Sequence, residues 1–279
     1  MMPELPEVET VKLGLRPHLL GQTIRQVRCV QPQLRYPVPD DLSAQLQGLT
    51  VKAIERRAKY LLVSLSDKTG QTPRDLVLAF HLGMTGHLRV LPTQMPLSKH
   101  DHVQFELENG QELRYYDVRR FGFILLFAAN LPPDFLQKLG VEPLDAAFNA
   151  EFWQKTLQNK KTPIKVALMN AALVVGVGNI YANESLFYAK ISPLRAAGSL
   201  SPAEVARLVL EVKAILHRAI QAGGSTLKDF VNADGNRGYF QQSYAVYGRK
   251  GQTCKVCGQG IVAVVQAQRR TFYCPVCQS

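Results

Sequence analysis

The chain lacks any long apolar run. Nothing approaches the ~18 to 20 residues that cross a bilayer, the longest stretches being of the kind FGFILLFAANL and VALMNAALVVGV. No secretory leader is expected either. Such a segment opens on basic residues and turns apolar, whereas the first ten residues, MMPELPEVET, hold three glutamates and no base. No internal repeat or low-complexity tract is present, which sets aside repeat arrays. A soluble, intracellular protein is therefore expected. Cysteine is scarce and odd in number: of five, four form two CxxC pairs near the C-terminus. That usage speaks against a disulfide framework and for metal binding in a reducing compartment. The remaining Cys29 lies in the strand-like TIRQVRCV and reads as a small buried hydrophobe without a function. Acid is in short supply too. With 22 Asp plus Glu against 33 Lys plus Arg, the net charge is +11, which favours an anionic partner such as nucleic acid or a membrane surface. A protein that is merely basic fits this number equally well.

The 279 residues suffice for two or three domains. From Pro6 onward, Val8, Val11, Leu15 and Leu19 recur at helical spacing, with Pro6 suited to the first turn and Gly21 to the stop. Seven β-like stretches follow (TIRQVRCV, VKAIE, YLLVSLS, LVLAFHL, VQFEL, ELRYY and GFILLF), separated by turn-rich segments such as SDKTGQTPRD and ENGQ. They predict an antiparallel sandwich or barrel. Residues 131–150 carry three prolines and break the strand pattern, which places a domain junction there. Helical patterning follows, clearest from Ser201 as N-cap with Pro202 next and Glu204 completing a capping box. Val205, Leu208, Val209, Val212, Leu216 and Ala219 form the apolar stripe, and Gly223 ends it.

Cys254-x2-Cys257, sixteen residues, then Cys274-x2-Cys277 supplies four thiolates at the spacing of a tetrahedral structural zinc site. A closed four-sulfur site leaves no open position for substrate, so this single Zn2+ is expected to fold the tail and do no chemistry. Between the knuckles, GIVAVVQAQRRTFYC reads as two strands around a turn near Gln268 to Arg270, projecting Arg269 and Arg270 toward solvent or phosphate.

Together PELPEVET, RRAKYLL (56–62), HLGMTG (81–86), KHDHV (99–103), RRFG (119–122), VVGVGNIYANESLF (174–187) and AQRRTFYC (267–274) resemble the bacterial formamidopyrimidine-DNA glycosylase family over essentially the whole chain. The resemblance implies an α+β, multi-domain fold: an N-terminal antiparallel β-sandwich with an N-terminal helix over 1–130 and a linker over 131–150. A helix-two-turn-helix domain over 151–240 would include a lesion-capping loop at 226–240, and a zinc-ribbon hairpin would occupy 241–279. It implies a base-excision repair enzyme of the bacterial cytoplasm and nucleoid, acting as a monomer on damaged double-stranded DNA and not on membranes. Such an enzyme removes 8-oxoguanine and formamidopyrimidines, then nicks the strand by β,δ-elimination, with no redox or nucleotide cofactor.

By the same resemblance, Pro3 is the mature N-terminus and its secondary amine the nucleophile. An α-amino group titrates near ~7.7 to 8, so a useful fraction is nucleophilic at neutral pH. Within a chain the Pro3 nitrogen would be an amide, so translation is expected to begin at Met2, with Met1 supernumerary. Glu4 becomes the acid/base, although composition alone makes it one of three helix-start acids with Glu7 and Glu9. Lys59 would hold a phosphate and assist proton transfer. Extruding a base leaves a hole in the stack, and Met84, Arg119 and Phe121 match the filling trio, Arg119 facing the orphaned cytosine. Read without the family, Met84 is ordinary core and VRRF a hairpin tip between ELRYY and GFILLF. His81, His100, Lys160, Lys165 and Asn179 are phosphate candidates, GVGN otherwise being a tight turn before an Asn cap. Arg269 would grip the phosphates flanking the extruded nucleotide and assist the second elimination. Two alternatives remain: an endonuclease VIII-like glycosylase for oxidised pyrimidines, and a noncatalytic zinc-ribbon DNA-binding protein.

Overall fold

Helix α1 (Leu5–Leu19) forms where the periodicity places it: Pro6 sits in its first turn, and the Glu4 N–H donates to Glu7 Oε2 at 2.9 Å. Leu5, Val8, Val11, Leu15 and Leu19 are all buried, and Gly21 takes φ +79° just past the end. A helix of this length is marginal alone; burial of the stripe, about 1.5–3 kcal/mol per large apolar side chain, stabilises it. The computed structural model describes residues 2–67, 75–224 and 243–279. These divide into two units: residues 2–137 with Gly223 and Gly224, and residues 138–222 with 243–279. Among the described residues no helix is long and apolar enough to cross a membrane.

In the first unit, strand β1 (Ile24–Cys29) and helix α2 (Leu42–Leu46) precede β2 (Thr50–Arg57), β3 (Tyr60–Ser66), β4 (Leu76–His81) and β5 (His87–Pro92). Strands β6 (Asp101–Leu107), β7 (Gln111–Tyr116) and β8 (Phe123–Ala128) complete the set. They form two antiparallel four-stranded sheets, ordered β1-β6-β7-β5 and β2-β3-β4-β8. Alternation puts Leu61, Val63 and Leu65 of β3 inside, where one core joins them to Phe80, Leu88, Phe105, Leu113, Tyr115, Ile124 and the α1 stripe. This is the sandwich solution of the two that the patterning allows.

Several details depart from the sequence reading. β5 was not among the predicted strands; it is an edge strand closing on Pro92, where a missing N–H costs no ladder bond. α2 is likewise additional. Cys29 is exposed, not buried: β1 is an edge strand with a register shift between Ile24 and Gln26, and it stops at Cys29. VRRF is not a hairpin tip, because β7 and β8 belong to different sheets; residues 117–122 cross from one sheet to the other.

After α3 (Asp134–Gln137) the second unit contains α4 (Ala150–Leu157), α5 (Ile164–Leu168), α6 (Asn179–Tyr188), α7 (Pro202–Gln221) and the hairpin β9 (Val262–Gln266) and β10 (Arg269–Tyr273). The stretch expected as a linker is partly built in. Val141 bridges Val174, fully buried Phe148 meets the Trp153 ring at 5.3 Å, and Asn149 Oδ1 caps α4 by accepting from the Phe152 N–H at 2.9 Å. Helix α7 has the capping box read from Ser201 and Glu204, and every residue of its predicted stripe is buried. The finger shares a core with α6, in which Phe187 packs with Val246, Ile261, Phe272, Cys254 and Cys274. The cap of α6 is Gly178, with Asn179 its first residue, so Asn179 is not the cap.

Candidate active site and nucleic-acid interface

Pro3 and Glu4 sit at the head of α1, both buried, Glu4 to 2% exposure. Lys59 lies in the β2–β3 turn, after Ala58 at φ +55°. Arg56, marked in the sequence only by its place in RRAKYLL, links helix α1 to this turn. Its Nε donates to Glu9 Oε2 at 2.9 Å and its Nη1 to the Ala58 carbonyl at 3.1 Å, so one guanidinium joins α1 to the turn that carries Lys59. His81 ends β4, stacked on Phe123 at 5.1 Å. Burial, then the Lys59 and Arg35 charges, lower its pKa to about 4. The ring is thus neutral at pH 7, and because Nδ1 accepts the Gly83 N–H at 3.1 Å, its proton resides on Nε2, a single donor.

The three candidate filling residues come from two neighbouring sheet-to-sheet crossovers. Residues 82–86 pass from β4 to β5 and residues 117–122 from β7 to β8. The departure and arrival points are themselves paired, His81 with Phe123 and His87 with Tyr116. The crossovers therefore run side by side at one end of the sandwich. They touch backbone to backbone: a Cβ on Gly83 would lie 2.3 Å from the Gly122 nitrogen. From this platform Met84 emerges half-buried, Arg119 exposed and Phe121 46% exposed, the Arg119 guanidinium 4.5 Å over the Phe121 ring. Met84 is thus not ordinary core. His100 flanks the platform, its carbonyl accepting the Asp117 N–H at 3.1 Å and its ring 5.6 Å from that of Tyr116.

In the second unit the joint between helices and finger gathers two other candidates. The Arg270 carbonyl accepts from Asn179 Nδ2 at 2.9 Å and from Lys165 Nζ at 3.4 Å, and Lys165 Nζ also donates to Thr271 Oγ1 at 2.9 Å. Lys165 is completely buried, unlike the surface cation its role as a phosphate contact suggested. Asn183 Oδ1 accepts the Phe272 N–H at 2.7 Å. Beside them Glu184, also unassigned from sequence, is 1% exposed and accepts the N–H groups of Ala245, Val246 and Tyr247 at 2.8–3.0 Å. Burial raises its pKa, and those three donors oppose the rise. Arg269 is exposed at the start of β10. The turn lies at Ala267 and Gln268, both with positive φ, one residue earlier than the spacing suggested, because Arg269 already pairs with Gln266. Lys160 is half-buried near α4, its carbonyl accepting the Gly198 N–H at 2.9 Å. The loop expected at 226–240 lies outside the described residues.

Cys254, Cys257, Cys274 and Cys277 place their sulfurs within 4.8 Å of one another, with Cys254–Cys277 at 3.9 Å and Cys257–Cys274 at 3.4 Å. A tetrahedral zinc with Zn–S bonds of ~2.3 Å requires S–S edges of roughly 3.8 Å, so the four thiols fit such an ion.

Along the chain the order is a β-sandwich headed by a buried acid, a helical unit and a four-thiol finger. Family models match in that order: the formamidopyrimidine-DNA glycosylase N-terminal domain over residues 2–124, its H2TH domain over 139–231, and the zinc finger found in FPG and IleRS over 251–279. Formamidopyrimidine-DNA glycosylase of Laribacter hongkongensis is 52% identical over 280 residues, covering 99% of this chain and all of that protein; the Salmonella typhimurium protein is 50% identical over 277, covering 99% and 100%. Crystal structures of Lactococcus lactis FPG are similar at 35% identity. A variant bound to Fapy-dG containing DNA has a TM-score of 0.90, covering 99% of this chain and 100% of that one. The wild type with an oxidized pyrimidine containing DNA has 0.88, with the same coverage. The chain belongs to the formamidopyrimidine-DNA glycosylase family.

Proposed function

We propose that this enzyme excises 8-oxoguanine and formamidopyrimidines from duplex DNA through the secondary amine of Pro3 and then cleaves the abasic strand by β,δ-elimination. Full-length family membership supports the substrate class, and the observation that carries the chemistry is the buried Pro3–Glu4 head of α1, a helix that Arg56 joins through Glu9 to the turn bearing Lys59. Once Met2 is removed, the Pro3 nitrogen attacks the sugar C1′ and the glycosidic bond breaks. The base leaves with its bonding electrons and takes up a proton. Loss of the amine proton and opening of the sugar ring, served by Glu4, leave an iminium that acts as the electron sink for expelling the flanking phosphates.

Met84, Arg119 and Phe121 are read as the side chains that fill the vacated stack. His81, His100, Lys59, Lys160 and Arg269 are read as phosphate contacts, with Lys165 and Asn179 seating the finger beneath Arg269. The metal in the four-thiol site is read as Zn2+, which closes the finger when bound. An oxidised-pyrimidine activity is the second reading, favoured by the similarity to an FPG held on an oxidized pyrimidine containing DNA. Relative excision rates for 8-oxoguanine opposite cytosine and thymine glycol opposite adenine separate the two.

The test is borohydride reduction during turnover on a duplex with 8-oxoguanine opposite cytosine. A covalent protein–DNA species whose adduct maps to Pro3 is expected. No trapped species, or an adduct on a lysine, defeats the mechanism.

A further inference from the structure

The side chains given roles above do not explain what holds the two crossovers in register. The Asp117 carboxylate, with the residue completely buried, lies between them. One oxygen, Oδ1, accepts the Thr85 hydroxyl and, at 3.3 Å, the Arg119 N–H. The other, Oδ2, accepts the Gly122 N–H at 2.9 Å and the Tyr115 hydroxyl at 3.4 Å. Thr85 Oγ1 in turn accepts the Arg119 N–H at 2.9 Å. Thus the hydroxyl that follows Met84 receives from the backbone of Arg119 and donates to Asp117, while the far oxygen of that carboxylate fixes the glycine after Phe121. Main-chain atoms of Asp117 extend the clamp, its carbonyl accepting from His102 Nε2 at 2.6 Å and from the Arg120 N–H at 3.3 Å. Arg120 is held at φ +55°, a conformation a non-glycine residue keeps only where its surroundings impose it.

We propose that Asp117 and Thr85 are positioning residues for base extrusion, locking the 82–86 and 117–122 crossovers into one rigid wedge so that Met84, Arg119 and Phe121 enter the duplex together. The proposal rests on the reading of those three as the void-filling side chains. Neither Asp117 nor Thr85 touches the DNA or the reacting atoms in this scheme. Their effect is on how often the three tips are arranged for insertion. A charge-assisted bond inside a buried cluster is strong, and leaving its partners unmet is costly, so loss of the clamp should slow insertion and spare the elimination chemistry at the head of α1.

The experiment follows 2-aminopurine fluorescence beside an 8-oxoguanine in stopped flow, which reads insertion and extrusion. In parallel it follows strand cleavage of a single-stranded oligonucleotide bearing an abasic site, where there is no stack to invade. Thr85→Val removes the hydroxyl at nearly constant shape and is expected to slow the fluorescence phase on the order of 10-fold, the loss of one bond to a charged group. Single-strand cleavage is expected to stay within about twofold of wild type, and Thr85→Ser to restore the fast phase. Asp117→Asn, which sets an NH2 group among donors, should act in the same direction. An unchanged fluorescence phase, equal losses in both reactions, or Thr85→Ser no better than Thr85→Val overturns the proposal. Met84→Ala and Phe121→Ala run alongside. If they leave the fluorescence phase intact, the void-filling reading itself fails; if they slow it while Thr85→Val does not, only the positioning role is lost.

Discussion

Replacing Glu184 by alanine should detach the finger from the helices without touching a proposed catalytic group. Three backbone N–H groups, of Ala245, Val246 and Tyr247, end on this one carboxylate at 2.8, 3.0 and 2.8 Å, and Ala245 and Val246 are themselves buried. Each donor left unmet costs about 1–3 kcal/mol. Against that total stands the relief of no longer burying a carboxylate, whose discomfort is visible in its raised pKa. Water entering the space left by the side chain reduces the loss further. A net destabilisation of about 3 kcal/mol is expected, which for a unit of this size lowers Tm by roughly 10 °C. Glu184→Gln keeps one acceptor oxygen and should lose about half as much. The assay is thermal unfolding followed by tryptophan fluorescence, since Trp153 lies in this unit, combined with the rate of metal release to a chelator. Ala245 and Val246 share a core with Cys254 and Cys274, so release should quicken in parallel with the loss of stability. A change in Tm under about 2 °C for Glu184→Ala, or metal release indifferent to it, would refute the view that this carboxylate seats the finger.

Three other expectations follow from the site. Glu4→Gln should abolish base excision while leaving the fold intact, measured by single-turnover kinetics and Tm; a variant that excises at the wild-type rate removes Glu4 from the chemistry. Stripping the metal with a chelator, or Cys257→Ser, should loosen the 251–279 region and sharply weaken binding to lesion duplex by gel shift, and readdition of zinc should restore it only in the unsubstituted chain. His81 and His87 are both held near pKa 4, mainly by burial, below the 6.5 of the unfolded chain. Between those values the unfolded state binds more protons, so stability is fully present above pH ~6.5 and falls as pH drops toward 4, by at most ~3 kcal/mol for each histidine. His87→Gln should flatten that decline in denaturant titrations at pH 7 and pH 5.

The frame of the fold is readable because it rests on local patterns. Helices α1 and α7 announce themselves through three-and-four spacing and caps, β3 through an apolar run bounded by turn signals, and the thiol cluster through spacing that few other structures require. What escaped is set by partners distant in sequence. Strand β5 borrows its stability from β7 and ends in a proline that only an edge position tolerates. Cys29 reads as interior because a free cysteine in a strand is usually a small buried hydrophobe, and only the order of strands reveals that β1 lies at a margin. VRRF resembles a hairpin tip since nothing in ELRYY or GFILLF tells which sheet each joins. Arg56 and Glu184 stand inside recognised motifs and Asp117 just ahead of one, yet their roles depend on atoms 47, about 60 and 32 positions away. Lys165 carries the same lesson in reverse, a buried cation that donates to the Thr271 hydroxyl and the Arg270 carbonyl.

The seat of the finger has a consequence for how its tip can vary. Both Asn179 and Lys165 hold residue 270 by its peptide oxygen, an atom every amino acid possesses. The guanidinium groups at 269 and 270 are consequently free of the duty of attachment. Selection can exchange them, lengthen their reach or alter their charge to suit a different helical groove while the hairpin remains docked as before.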